Sequence, residues 1–269
     1  MKSMVTFLII AALGYAGICT LVFLLQDQML FFPHASDPSA TTRLKNWQRS
    51  IQTPDGSLAG GVIPAQDPEN APLFFYFGGN AEDVSVTALD ISDNAAANFV
   101  LMNYRGYGAS EGAPSESALF ADALFVYDTL TDSTLHNGKV VAFGRSLGSG
   151  VAVYLSAHRP IDALVLVTPY DSIQNVARRR FSWLPVSRLL RHPFDSLALA
   201  PKLDIPALFL VAQFDEVIPL PHARNLNDAW GGSAEWVLIE DTTHNSIGEE
   251  SDYWLSIRRF LNNLKIPGN

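Results

Sequence analysis

Cysteine is nearly absent: Cys19 stands alone in 269 residues. A single thiol excludes a disulfide within the chain and excludes a cysteine cluster for a metal. Positive charge is scarce as well. Lys and Arg number 18 against 27 Asp and Glu, a formal net charge of −9, so no basic surface offers itself to a nucleic-acid partner. Charged residues of either sign make up 17% of the chain against 48% hydrophobic, which leaves ample material for one large α/β core or two small ones. Internal repeats and low-complexity segments are missing too.

Charge is missing altogether between Lys2 and Asp27, and nearly everything from residue 3 to residue 26 is apolar. That run is long enough to span a bilayer, which takes about 20 residues. The apolar part of a cleaved signal peptide is normally about 7–15 residues and ends at a small-x-small site. Here the run continues past the small residues around 11–17 into Leu21-Val22-Phe23-Leu24-Leu25, and Ile18 before Cys19 does not suit a lipoprotein signal. A buried core helix is the remaining alternative. The expectation is an uncleaved transmembrane anchor over residues 1–27, followed by a catalytic domain over 28–269. With Lys2 and the terminal amine on the cytoplasmic side, that domain lies on the extracytoplasmic, periplasmic face, though Arg43 and Lys45 pull the other way.

Beyond the anchor, Trp47–Thr53 and Leu58–Ile63 flank the turn Pro54-Asp55-Gly56 and read as paired antiparallel strands. Apolar runs then alternate with helical patterns. Strands are expected at residues 72–77, 98–104, 139–143, 163–167, 207–212 and 235–239. Helices are expected from about Ala81, from Ser115 (a plausible N-cap after Pro114) and from about Glu249 to Leu264. Such alternation implies an α/β fold: a mainly parallel central sheet with helices on both faces and ligands beyond the carboxyl ends of the strands. One segment breaks it. Residues 171–203 hold no obvious strand and carry Arg178-Arg179-Arg180-Phe181-Ser182-Trp183-Leu184-Pro185. This reads as a small helical cap insertion, either a lid that shapes an acyl pocket or touches lipid headgroups, or a surface subdomain with solvated arginines.

Two stretches match G-x-S-x-G: Gly108-Ala109-Ser110-Glu111-Gly112 and Gly144-Arg145-Ser146-Leu147-Gly148. The first is followed at once by Ala113-Pro114, so no helix can start after its serine, and Glu111 would put a carboxylate beside a forming oxyanion. The second lies between a strand and a helix. There a serine is held in strained backbone geometry, glycines stand where a Cβ would clash, and the helix start presents free N–H groups. Ser110 reads as a loop residue and Ser146 as a nucleophile.

A serine hydroxyl needs a base. Of six histidines, His34 lies beside the anchor and His136 precedes a turn. His158 ends the helix after the elbow, His192 falls in the insertion, and His222 follows Pro221 at a helix start. His244 follows the last strand directly, where a loop can reach back to Ser146. The acid that orients it is expected at Asp215, at the end of an earlier strand, with Asp241 and Glu216 as rivals and Glu216 expected to point elsewhere. The oxyanion hole needs two N–H donors: Leu147, after the nucleophile, and Asn80, in the Gly78-Gly79-Asn80 turn.

Tyr76–Asp83, Asn103–Gly112, Gly144–Gly148 and Phe214–Pro219 together resemble the α/β-hydrolase superfamily. More narrowly they resemble its Bem46-like group, related to the membrane-associated ABHD13 and ABHD17 hydrolases and often labelled serine aminopeptidase-like. The likeness runs from about Gln28 to the C-terminus. It implies the α/β-hydrolase fold, with Ser146 as nucleophile, Asp215 as acid and His244 as base. Gly78 departs from the pattern, because many relatives carry His there before Gly-Asn, so only backbone donors remain at that position. The expected activity is a serine hydrolase, carboxylesterase- or thioesterase-like. It would cleave ester or thioester bonds of a small-molecule or lipid-like acyl substrate through an acyl-enzyme, with no metal or cofactor. An acyltransferase or peptidase on the same triad is an alternative, and so is a non-catalytic binding protein on a hydrolase scaffold.

Overall fold

The computed structural model describes residues 1–94 and 97–264; the last residues of the expected 28–269 domain fall outside them. Helix α1 runs Lys2–Leu30. Its 29 residues reach about 44 Å, longer than the roughly 30 Å of a hydrocarbon core. It is long and apolar enough to cross a membrane, and its most apolar stretch is buried nowhere in the protein. Pro33 disfavours helical geometry at Phe32 and ends the run. Helix α2 (Pro38–Arg43) starts where the Asp37 carboxylate accepts from the Ser39 and Ala40 N–H groups.

Strands β1 (Gln48–Thr53) and β2 (Gly56–Ile63) form the expected hairpin. Thr53 pairs with Gly56, so Pro54-Asp55 alone make the turn. Next come β3 (Leu73–Phe77), α3 (Val84–Asn94), β4 (Asn98–Met102) and α4 (Glu116–Leu130). Then follow β5 (Val140–Arg145), α5 (Leu147–His158) and β6 (Ala163–Val167). Helix α3 begins three residues later than the sequence suggests. Ala81 has φ 61°, and Asp83 acts as the cap, its carboxylate accepting from Ser85 N–H at 3.1 Å. Ser115 caps α4 as expected, accepting from Ala118 N–H.

After β6 the chain leaves the sheet for α6 (Ile173–Arg180) and α7 (Val186–Leu189) and returns through a 3₁₀ turn at Ala200–Lys202. Strand β7 (Ala207–Ala212), α8 (Leu220–Asp228), β8 (Ala234–Ile239) and α9 (Ser251–Asn263) complete the fold. The eight strands lie in the order β1-β2-β4-β3-β5-β6-β7-β8. Pairings from β4 through β8 are parallel, and β2 joins β4 antiparallel.

Residue alternation along a strand sends side chains to both faces. Leu73, Phe75 and Phe77 of β3 enter a core shared with α4, α5 and α8. Phe74 and Tyr76 enter the opposite core, with α3 and α9. This two-sided covering explains why β3, β4 and β6 are buried at every residue, and why they read as unbroken apolar runs rather than alternating ones. The carboxyl ends of β3, β5, β7 and β8 point to one edge of the sheet.

Candidate active site

At that edge the turn from β5 into α5 is sharp. Ser146 holds φ 50° and ψ −116°, outside the regions a side chain adopts freely. The two glycines around it are steric requirements. A Cβ on Gly144 would stand 2.3 Å from the Gly148 carbonyl oxygen, and one on Gly148 would stand 2.0 Å from that of Phe77. Their absence lets α5 lie directly against the end of β3.

Ser146 Oγ–H donates to Nε2 of His244 at 2.9 Å. His244 Nδ1–H donates to Asp215, 2.8 Å from Oδ2 and 3.0 Å from Oδ1. A carboxylate only accepts, so Nδ1 carries the proton and Nε2 is left as acceptor. Ser146 and His244 are buried, as is the Asp215 side chain. Asp215 Oδ1 also accepts from the Val217 and Ile218 N–H groups at 3.0 and 2.7 Å, which fixes its rotamer.

The rival acids sit elsewhere. Asp241 turns the chain at φ 55°, with its N–H on the Gln213 side chain. Glu216, expected to point away, instead accepts from the His244 backbone N–H at 3.3 Å. It braces the histidine loop without touching the ring nitrogens. Ser110 Oγ is taken up by the backbone, donating to Asn103 carbonyl and accepting from Ala59 N–H, each at 2.9 Å. The Gly108–Gly112 copy of G-x-S-x-G therefore knits β2 to the loop after β4.

Leu147 is the first residue of α5, so its N–H has no intrahelical acceptor. Opposite it lies the turn after β3: a Cβ on Gly79 would stand 3.7 Å from that of Ser146. Gly79 N–H donates to Glu82 at 2.6 Å. Asn80, the next residue, is held by its side chain. Asn80 Oδ1 accepts from Phe32 N–H at 3.0 Å and from the Tyr107 hydroxyl at 2.7 Å, and Nδ2 donates to the Leu30 carbonyl. The turn beside the serine is thereby tied to the chain leaving α1.

Sequence reading missed a carboxylate at the centre of this arrangement. Besides Gly79, Glu82 accepts from the Tyr76 hydroxyl at 2.7 Å and from Thr87, and pairs with Arg145 at 3.4 Å. The Arg145 guanidinium in turn donates to the His244 carbonyl at 3.5 Å. Burial pushes the Tyr76 phenol well above its ordinary range, so it stays a neutral donor to Glu82. One half-buried ion pair thus links the β3 turn, the elbow and the histidine loop. Glu82 and Arg145 each lay inside a stretch the sequence singled out, but nothing there joined them, because they stand 63 residues apart.

A second His–Asp pair stands under α6. His222 Nδ1 lies 2.9 Å from Asp171 Oδ1, and both residues are buried. Asp171 also accepts from Asn175 and Asn225, so this pair fastens α6 to α8. Among the described residues, no group of three or more His, Cys, Asp or Glu is placed to hold a metal.

The profile of a family described as the alpha/beta hydrolase family matches residues 74–264. The Mycobacterium tuberculosis protein MT2364 is 31% identical over 267 residues, covering 96% of this chain and 95% of its own length. Protein bem46 of Schizosaccharomyces pombe is 28% identical over 226 residues, covering 77% of this chain and 74% of its own. Lysophosphatidylserine lipase ABHD12 of Danio rerio is 29% identical over 179 residues, 58% of this chain and 47% of its own. Among solved structures, a hydrolase from Pseudomonas aeruginosa superposes with a TM-score of 0.63 at 19% identity, covering 80% of this chain and 98% of that one. At that identity the likeness speaks to the fold.

Proposed function

The chain belongs to the alpha/beta hydrolase family, in its Bem46-like group, and from that premise we propose that it is a membrane-anchored serine hydrolase of ester or thioester bonds. The observation that carries this reading is the unbroken relay of hydrogen bonds from Ser146 Oγ through His244 to Asp215.

Ser146 Oγ attacks the acyl carbonyl carbon while His244 Nε2 takes its proton. The charge that develops on the carbonyl oxygen is held by the Leu147 and Asn80 N–H groups. Asp215 keeps Nδ1 protonated and steadies the imidazolium. Collapse of the tetrahedral intermediate breaks the ester or thioester bond, and His244 returns the proton to the departing alcohol or thiol. Water then attacks the acyl-enzyme by the same relay in reverse, releasing the acid and free Ser146. Apart from substrate and water, the groups in this cycle belong to the protein, and the substrate is a small-molecule or lipid-like acyl compound.

Residues 1–27 form the anchor and 28–269 the hydrolase domain, with 171–203 as its cap. The domain lies on the extracytoplasmic face. The lipase name of the Danio rerio relative accords with an acyl substrate.

The test is labelling by a fluorophosphonate probe together with hydrolysis of short p-nitrophenyl esters. Wild type is labelled and active, and Ser146→Ala loses the label and at least ~10⁴-fold in kcat. Full labelling of the alanine variant would refute the assignment.

A further inference from the structure

Helix α1 does not stand apart from the domain it carries. Tyr15 hydroxyl donates to the Trp183 carbonyl at 2.9 Å. Farther along, the buried Gln26 side chain accepts from Arg191 N–H at 2.7 Å and donates to the Leu189 carbonyl at 3.0 Å. Asp27 then pairs with Arg191 and with His192, each at 2.9 Å. From Tyr15 to Asp27 the cap therefore lies along about 18 Å of the helix.

This contact is at membrane depth. No charge interrupts α1 from residue 3 to residue 26, and about 20 residues fill the hydrocarbon core. Any placement of the span in that run puts Tyr15 about 10–16 Å inside its outer end, with the Trp183 turn beside it. Trp183 is 56% exposed there. Arg178, Arg179, Arg180 and Arg188 surround the turn and are exposed. None of the four is in an ion pair among the described residues, and their long stems can carry the guanidinium groups up toward headgroup phosphates.

Between α1 and the cap lies a cavity of about 580 Å³, in the range of pockets that hold a small ligand. Val22 and Leu30 of α1 form one wall, and Ile173, Val176, Leu189 and Leu190 form the other. At its inner end the lining includes Glu216 and Val217, directly after Asp215, and Leu30, whose carbonyl Asn80 holds. At its outer end it reaches Val22 and Trp183, at membrane depth.

Glu216, which lines this cavity, also accepts from the His244 N–H, and from that adjacency we infer that the anchor helix is one wall of the substrate site. The cavity is a slot that takes a single long acyl chain of a bilayer lipid ester, entering sideways from the membrane. The occupant follows from what the mouth meets, which is lipid chains rather than water. Most of the lining is apolar and loses nothing to a hydrocarbon chain, and its polar members are Gln26, Arg180 and Glu216. The inference rests on Ser146 being the acylated residue.

The experiment uses the full chain in phosphatidylcholine vesicles with p-nitrophenyl acetate, butyrate and palmitate. Val22→Phe and Val176→Phe each fill the slot, from opposite walls. Each is expected to lower the ratio of palmitate to acetate kcat/KM at least tenfold, moving the preferred chain shorter. A ratio unmoved in both variants, with wild type active and Ser146→Ala inactive, overturns the slot and leaves the hydrolase standing. Ester hydrolysis that persists in Ser146→Ala removes the catalytic reading, and the slot with it.

Discussion

Gly148 and Gly248 separate what a glycine does from where it merely occurs. A Cβ on Gly148 meets the backbone oxygens of Phe77 and Gly78 at 2.0 and 2.6 Å, whereas one on Gly248 meets nothing within 4 Å. Backbone atoms cannot swing aside, so Gly148→Ala should push α5 off β3, costing about 1–3 kcal/mol, and displace Ser146 and Leu147 with it. Thermal unfolding and ester kcat measured together should show both losses, while Gly248→Ala should show neither. Equal melting temperatures for the two variants would refute the steric account. The same scale limits what a sequence reveals. Ser146, His244 and Asp215 each carried a local mark, a turn or a strand end. Glu82 carried none, because its role depends on Gly79, Tyr76, Thr87 and Arg145 gathering around it in space.

Among elements, the cap is the piece whose attachment depends on charge. Burial opposes ionisation of Asp171, but the bonds from His222, Asn225 and Ser172 outweigh it and hold the carboxyl below its ordinary value. A depressed carboxyl stabilises the folded state above its unfolded pKa of about 3.9, and that contribution is lost as pH falls through the lower folded value. Below about pH 4 the attachment of α6 to α8 should therefore weaken. Trp183 fluorescence, isolated by replacing the other tryptophans, should report this before the domain as a whole unfolds. Asp171→Asn should loosen the cap at neutral pH and flatten its pH dependence; a dependence unchanged from wild type would contradict the assignment. The elements of the sheet were largely legible beforehand, because continuous apolar runs between turn residues admit few other readings. The start of α3 was not, since the Asp83 cap overrides the helical pattern that begins near Ala81.

For the molecule as a whole, the proposed direction of α1 across a membrane sets where hydrolysis would happen. With Lys2 inside, alkaline phosphatase fused after Asn269 should be active and a fused green fluorescent protein dark; the opposite pair of results would place the domain in the cytoplasm. The sequence by itself determined the α/β class, the apolar N-terminal run, and the candidates Ser146 and His244, because each is written in local periodicity, hydropathy or turn chemistry. Only the tertiary structure decided that Asp215 rather than Asp241 meets His244, that Glu216 and Glu82 brace the loops around them, and that α1 lies against the cap with a cavity between. Those outcomes depend on groups brought together from as far as 168 residues apart, and no local pattern encodes a distance of that kind.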